Sequence, residues 1–168
     1  MRERGFTLIE LMVVIAVMGI MMVIATHNWH EMVIKSAIES ENRELYADLM
    51  EVRLQALHTK TARSVDINGL QFRVYSTADT SVAPILTKQL RYPVDLQVNG
   101  PLTFDTQGLA TGALLPPDDS INSLCVNPDG AVTATQAAED SIVISRTKIS
   151  LGKRQNGGVC ANTAIDKK

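Results

Sequence analysis

The sequence has only two cysteines, no proline before Pro84 and a formal net charge of only -2. Each of these features argues against a class of site or structure. Its two cysteines, Cys125 and Cys160, lie too far apart for a CxxC metal or redox motif. The 16 basic and 18 acidic side chains nearly balance, so the chain as a whole has no positive excess for non-specific binding of nucleic acid. No proline precedes Pro84, so any bend in an N-terminal helix must come from Gly19 or from packing.

Catalytic signatures are missing as well. The sequence contains no nucleophile elbow, phosphate-binding loop or paired carboxylates, and none of its three histidines has a catalytic setting. His27, His30 and Glu31 are better explained as solvated side chains after an apolar helix than as metal ligands. Three later aspartates lack the D-x-D-x-D-G pattern of a calcium loop: Asp118, Asp119 and Asp129. We therefore expect no enzyme, no bound metal and no cofactor.

A long apolar run stands near the start of the chain. Residues 11–25 read LMVVIAVMGIMMVIA, and only Thr7 and Glu10 interrupt the run back to Phe6. As a helix rising about 1.5 Å per residue, residues 6–25 span about 30 Å, the thickness of a hydrocarbon core. A buried core helix is the alternative, but a domain this small could hardly surround a helix that is apolar on every face. The run predicts a transmembrane helix over residues 6–25.

The flanks of this run predict its orientation. Arg2 and Arg4 precede it, and no further lysine or arginine follows until Lys35. The positive-inside rule then places the N-terminus in the cytoplasm. The apolar run crosses the inner membrane once, and the residues after it are expected in the periplasm. An ordinary secretory signal would close with a small-x-small cleavage site, which the sequence after the run does not offer. We expect the apolar helix to stay in the mature protein.

Glu10 is the one carboxylate inside the apolar run. A charged side chain at membrane depth is costly, so such a residue is a functional candidate by default. Two interpretations follow from the residues alone. Glu10 can snorkel to the cytoplasmic headgroups, helped by its place in the first helical turn, or it can pair with a positive charge.

The segment GFTLIELMVVIAVMGIM, residues 5–21, resembles the class III signal of type IV prepilins and type II secretion pseudopilins. The resemblance implies that a prepilin peptidase removes residues 1–5 as a leader, cutting between Gly5 and Phe6, and methylates Phe6. It also implies an assembly role for Glu10, the fifth residue of the mature chain. The new ammonium group of Phe6 and the Glu10 carboxylate would lie at similar depth, and each is costly there without a partner.

Beyond the membrane, residues 26–63 are predicted to continue the helix, because an apolar face recurs at helical spacing: Leu45, Leu49, Val52 and Ala56. Residues 64–168 change to short alternating or β-branched runs between turn residues. Strands are predicted near 64–68, 70–76, 85–92, 94–98, 102–104, 124–126, 131–135 and 142–151, with surface loops at 114–122 and 127–130. The predicted fold class is α+β, with a long N-terminal transmembrane and amphipathic helix packed on an antiparallel, β-rich, pilin-like head.

Three stretches of this head are similar to the late strands of the GspH/FimT group of minor pilins and pseudopilins. They read LTFDTQGLATG at residues 102–112, CVNPDGAV at residues 125–132 and DSIVIS at residues 140–145. The similarity implies a subunit of low abundance near a filament tip.

The cysteines lie in the part of the chain that is predicted to be exported. Thiols are oxidised in the periplasm, so we predict a disulfide between Cys125 and Cys160. Two buried thiols are the alternative.

A basic segment near the C-terminus is a further candidate site. The segment ISLGKRQNGGVC, residues 149–160, contains Lys153 and Arg154, and Lys148 stands just before it. Members of the FimT branch have a similar GRxR-like basic tail that binds DNA during natural transformation, so the resemblance implies DNA binding at these three residues. The match is imperfect, since Lys153 and Gln155 stand where the motif has arginines. A solvated hairpin is the favoured interpretation.

The sequence therefore predicts a minor pilin or pseudopilin that helps to initiate or cap a type II secretion pseudopilus or a type IV pilus. Its expected partners are the prepilin peptidase, other pilins or pseudopilins in a filament, and the inner membrane. Two alternatives remain, a FimT-like DNA-binding minor pilin for DNA uptake and a membrane-anchored periplasmic domain outside any filament.

Overall fold

The computed structural model describes residues 7–115, 119–128, 135–155 and 158–168, with all their side chains except those of residues 24–28 and 30. One long helix, α1, runs over Leu8–Thr59. It ends at Thr59, and the next residue, Lys60, has a φ of 54°, the left-handed conformation in which many helices stop. The chain divides into two compact units, residues 1–34 and residues 35–168.

The first unit contains the N-terminal part of α1. Its large apolar side chains are exposed, for example Leu8 at 77% and Met22 at 68%. Within the described part of the chain, no helix meets the length and apolarity that a membrane span requires.

The second unit begins with the C-terminal part of α1, whose buried side chains form a stripe at spacings of three and four: Ile38, Asn42, Leu45, Leu49, Val52 and Ala56. This spacing places them on one face of the helix. The apolar face that the sequence predicts is therefore confirmed, and it packs on the β-rich part of the unit. The helix thus supplies one wall of the core.

The strands of the second unit form two antiparallel sheets. In chain order the strands are β1 (Arg63–Asn68), β2 (Gln71–Tyr75), β3 (Leu86–Gln89), β4 (Val94–Leu96), β5 (Leu102–Phe104), β6 (Ala110–Thr111), β7 (Ser120–Val126), β8 (Ser141–Ser145), β9 (Ile149–Arg154) and β10 (Ile165–Lys167). Sheet A has the order β3-β2-β1-β5-β6, and sheet B has the order β10-β9-β8-β7-β4. A short 3-10 helix, Asn162–Ala164, precedes β10. The predicted α+β class is confirmed.

Two turn features explain where strands reverse. Gly69 begins the two-residue connection between β1 and β2 with φ of 58°, a conformation that glycine adopts without steric cost. Arg146, Thr147 and Lys148 separate β8 from β9. The single strand predicted over residues 142–151 is therefore wrong, because a polar turn splits it into a hairpin.

The predicted loop over residues 114–122 is also wrong at its end. Ser120 and Asn122 belong to β7, and both are buried. Asn122 is tolerated there because its side-chain amide accepts from the Val98 N–H at 3.0 Å and donates to the Val98 carbonyl at 2.8 Å. The strand predicted over 131–135 lies outside the described residues except for Thr135, which is not in a strand. Sequence reasoning missed β6 and β10.

Candidate functional site

The predicted cleavage junction, Gly5 and Phe6, lies outside the described residues, and the description begins at Thr7 immediately after it. Thr7 precedes α1, and its N–H and hydroxyl both donate to Glu10 Oε2 at 3.1 Å. In return, the Glu10 N–H donates to Thr7 Oγ1 at 3.3 Å. Threonine and glutamate three residues apart form the capping box that satisfies free N–H groups at a helix start.

The capping box assigns Glu10 a partner within its own chain. Sequence reasoning missed the capping contact of Thr7, although the pattern T-x-x-E directly before an apolar run could have identified it. The apolar side chains next to the carboxylate are all more than half exposed: Leu8, Ile9 and Leu11. Glu10 therefore enters the apolar segment with its charge held at the positive end of the helix dipole.

The two cysteines form a disulfide that links β7 to the segment before the short 3-10 helix. The Cα atoms of Cys125 and Cys160 lie 5.8 Å apart. Val143 and Ile165 pack with the two cysteines in one buried cluster. The bridge thus attaches the C-terminal segment to a central strand of sheet B.

The structure corrects the prediction for Arg154. Its side chain is fully buried at the end of β9, with Nε 3.4 Å from Asp140 Oδ2 and Nη2 donating to the Val126 carbonyl at 3.0 Å. The Arg154 main-chain N–H also donates to Asp140 Oδ1 at 2.8 Å. Arg154 is therefore no part of a solvated loop, and its guanidinium is not available to a phosphate group.

Lys148 and Lys153 are not brought together either. Lys148 is exposed in the turn before β9, while Lys153 stands at the other end of that strand, about 16 Å further along. Lys153 also lies opposite Asp166 in the ladder between β9 and β10. The three basic residues therefore do not form one positively charged patch.

Asp140 organises the surroundings of this buried pair. Besides Arg154, it accepts from the Thr135 N–H at 3.2 Å and from the Thr135 hydroxyl at 2.9 Å. The Ser141 hydroxyl donates to its other oxygen at 3.2 Å. Among the described residues, Arg154 Nη1 has no hydrogen-bond partner. The charges of Arg154 and Asp140 compensate each other, but Nη1 of Arg154 lacks a hydrogen bond to the described residues.

Two ion-pair groups attach the second part of α1 to the strands. Lys88 Nζ lies 2.5 Å from Asp48 Oδ2 and 2.7 Å from Glu44 Oε1. Burial alone would lower the pKa of Lys88, but the hydrogen bonds to the two carboxylates outweigh burial and raise that pKa. On another side of the helix, Glu139 accepts from Arg43 at 3.0 Å and from Lys168 at 3.2 Å.

The same contacts lower the pKa of Glu139. The hydrogen bond from Arg43 has the largest effect and outweighs the opposite effect of burial, and Lys168 adds to the lowering. The carboxylate of Glu139 thereby links Lys168 to Arg43 of α1.

The predicted solvated acids and histidines are partly described. Glu31 and Asp119 are exposed, whereas Asp118 and Asp129 and the side chains of His27 and His30 lie outside the description. Across the described ranges, no group of three or more histidine, cysteine or acidic side chains is placed to hold a metal ion.

Comparisons with known proteins give a short sequence match and a similarity of fold. Residues 1–26 match the family model described as the prokaryotic N-terminal methylation motif. The fold is similar to the crystal structure of the type IV minor pilin FimU of Pseudomonas aeruginosa strain PAO1 in space group P21. The TM-score is 0.56 at 17% identity, with 76% of this chain and 97% of that chain covered. A second crystal form of FimU, P65, gives a TM-score of 0.49 at 19% identity, covering 76% and 99%. The chain matches no curated protein sequence.

The match to the P21 crystal structure shows a pilin-like fold, in which a long N-terminal helix packs against antiparallel sheets. The methylation motif implies processing by a prepilin peptidase and anchoring in the inner membrane before assembly.

Proposed function

We propose that the chain is a minor pilin or pseudopilin of the GspH/FimT group, which helps to initiate or cap a type II secretion pseudopilus or a type IV pilus. The observation that carries the proposal is the methylation motif over residues 1–26, joined through the continuous helix α1 to a pilin-like head. The peptidase cuts between Gly5 and Phe6 and methylates Phe6. Residues 6–25 cross the inner membrane, with the N-terminus in the cytoplasm and the head in the periplasm.

Glu10 is proposed to guide assembly through its charge. Cleavage creates an ammonium group at Phe6, four residues before Glu10 and next to Thr7. In an apolar medium the attraction between an amine and a carboxylate is large, and each group is costly if unpaired. The Thr7 contacts satisfy Glu10 within its own subunit. When the helices leave the lipid, the amine of a neighbouring subunit can replace those contacts and set the register.

The alternative of DNA uptake receives no support from the geometry. Arg154 is buried against Asp140, and Lys148 and Lys153 stand at opposite ends of β9. Binding to nucleic acid phosphates needs several exposed cations that act together. We therefore propose a structural role in the filament rather than a DNA-binding role.

Mass spectrometry of the mature N-terminus tests the class. In cells with a prepilin peptidase, we expect a chain that begins at methylated Phe6, and in a peptidase-deficient strain an intact leader. An intact Met1 in both strains would overturn the proposal.

Co-assembly tests the role of Glu10. Glu10→Gln removes the charge but keeps the shape and most hydrogen bonding, and Thr7→Val is the matched control that breaks the capping box without removing the charge. We expect both variants to be processed at Gly5, but only Glu10→Gln to lose at least roughly tenfold in incorporation into sheared filaments. Equal incorporation of Glu10→Gln and the parent would exclude the charge-pairing role.

A further inference from the structure

Strand β3 is an open edge of sheet A. Among the described residues it pairs only with β2, and it stands at the end of the strand order. The Leu90 N–H donates to the Leu70 carbonyl at 2.7 Å, which fixes the hydrogen-bonding phase of the ladder. Since antiparallel residues alternate between the two sides of a strand, the main-chain groups of Thr87 and Gln89 face away from β2. They form a short row of donors and acceptors at the edge.

A groove of about 260 Å³ lies beside this edge, between β3 and α1. Its floor is apolar and consists of Val52, Phe72 and Val74, all of which are buried. On the strand side, Ile85 and Leu86 line the groove and remain 53% and 52% exposed. A strand added next to β3 would cover Leu86, because neighbouring strands lie about 4.8 Å apart. We call this surface the helix–edge groove.

The helix wall of the groove is acidic. Glu44, Asp48 and Glu51 follow one another at spacings of four and three, so they lie on one face of α1. The cation facing them from β3 is Lys88, which contacts Glu44 and Asp48. Asp48 and Glu51 line the groove itself, and the ion pair of Lys88 with Glu44 stands beside it. Together the three carboxylates and the one ammonium group give a local charge of 1 − 3 = −2. This wall favours a partner that brings a positive charge.

The positive charge of Lys88 also affects whether the β3 edge can accept an added strand. An inward-pointing charge on an edge strand commonly prevents pairing, since an added strand would bury it. Here Lys88 already has two carboxylate partners. Covering it therefore buries a compensated charge, which is far less costly than burying a lone one.

From these observations we infer that the helix–edge groove receives an extended strand from another filament subunit, which adds to β3 as a sixth strand of sheet A. The strand places an apolar side chain against Leu86 and, two residues away on the same face, a lysine or arginine against Glu51. Main-chain hydrogen bonds to Thr87 and Gln89 give affinity for any added strand. The apolar and the basic side chain of the incoming strand give specificity. Only the identification of the partner as a filament subunit rests on the proposed function.

The experiment uses the full chain in detergent micelles and two short blocked peptides that differ in one inward-facing residue. Both peptides carry valine at one inward position, and the second inward position is lysine in one peptide and glutamate in the other. We expect the lysine peptide to bind more tightly, and to protect the amides of Thr87 and Gln89 from hydrogen exchange. Equal affinity of the two peptides, or protection at another strand, would overturn the inference.

Two variants and one control separate main-chain pairing from side-chain charge. Thr87→Pro removes the outward N–H without touching the ladder to β2, and it should weaken lysine-peptide binding roughly tenfold. Thr87→Val keeps the N–H and should bind as the parent does. Glu51→Lys leaves the strand intact and should reverse the preference, so that the glutamate peptide binds more tightly by about threefold. Unchanged preference in Glu51→Lys would overturn the inference even if Thr87→Pro fails to fold.

The result is independent of the leader chemistry. A methylated Phe6 with no peptide binding would reject the helix–edge groove as a docking surface and leave the proposed function in place. An intact Met1 with selective peptide binding would reject the filament subunit as the partner and retain the strand-accepting edge.

Discussion

The two parts of α1 carry apolar side chains in opposite arrangements. Before residue 24 they surround the helix and are exposed, as Ile15 is at 61%, whereas after residue 35 most of them occupy one stripe and are buried, as Leu49 is at 0%. Apolar side chains on all faces suit lipid or a bundle of neighbouring helices, while a single stripe suits one globular core. The comparison predicts that substitutions of the buried stripe destabilise the head, whereas substitutions of the exposed apolar segment do not.

The largest effect is expected from the buried ion pair, which has no counterpart among the described residues of the first unit. Arg154→Met removes one partner and leaves Asp140 buried without a countercharge, so the free energy of unfolding should fall by about 3–5 kcal/mol. Urea titration of the full chain in micelles measures the loss. The matched control is Lys153→Met, one residue earlier and half exposed, which should change stability by less than about 0.5 kcal/mol. Equal losses in both variants would show that burial of Arg154 contributes nothing special.

A similar loss is expected when the disulfide of the head is removed. Replacing Cys125 and Cys160 by alanine opens a loop of 160 − 125 + 1 = 36 residues. In the chain-entropy model this costs about 3–4 kcal/mol, measured by the same urea titration. Alkylation of the denatured parent provides the direct check on the bridge, since the bridged chain has no reactive thiol and two alkylated cysteines would contradict it.

A third pair of variants tests the comparison of the two helix segments directly. Leu49→Ala leaves a cavity under the head and should lower the free energy of unfolding by about 3 kcal/mol, as large-to-small changes in cores do. Ile15→Ala, in the exposed apolar segment, should leave the urea midpoint of the head unchanged within about 0.5 kcal/mol. A large loss from Ile15→Ala would mean that the first segment also stabilises the head.

The periodicity of the sequence was enough to predict the helix and its buried face, because the stripe through Leu45, Leu49, Val52 and Ala56 depends only on local spacing. The transmembrane segment stays a prediction, and it rests on the same kind of local pattern. Thr7 was also within reach, since the capping box is a four-residue signal.

The head was less predictable because its decisive contacts are long-range. Arg154 reads as a loop residue beside glycines, and only the ladder between β8 and β9 brings Asp140 to it. The burial of Asn122 likewise depends on the main chain of Val98, which lies 24 residues earlier. A local sequence pattern with charged or amide side chains predicts an exposed loop. Burial of such a side chain can be predicted only when the distant strand that supplies its hydrogen-bond partner is known.

The smallest expected effect concerns the ion pairs that tie the C-terminus to α1. Because contacts to Arg43 and Lys168 lower the pKa of Glu139 in the folded chain, Glu139 stabilises the fold above its unfolded pKa, and this contribution is lost as the pH falls through the folded pKa. Glu139→Gln should therefore lower the melting temperature slightly near pH 7, by an amount equivalent to less than about 1 kcal/mol, since Arg43 is largely exposed. Thermal melts of parent and variant from neutral pH to about pH 3 should converge on the acid side. If the difference in melting temperature between parent and variant stays constant over this pH range, Glu139 stabilises the fold through packing and not through its charge.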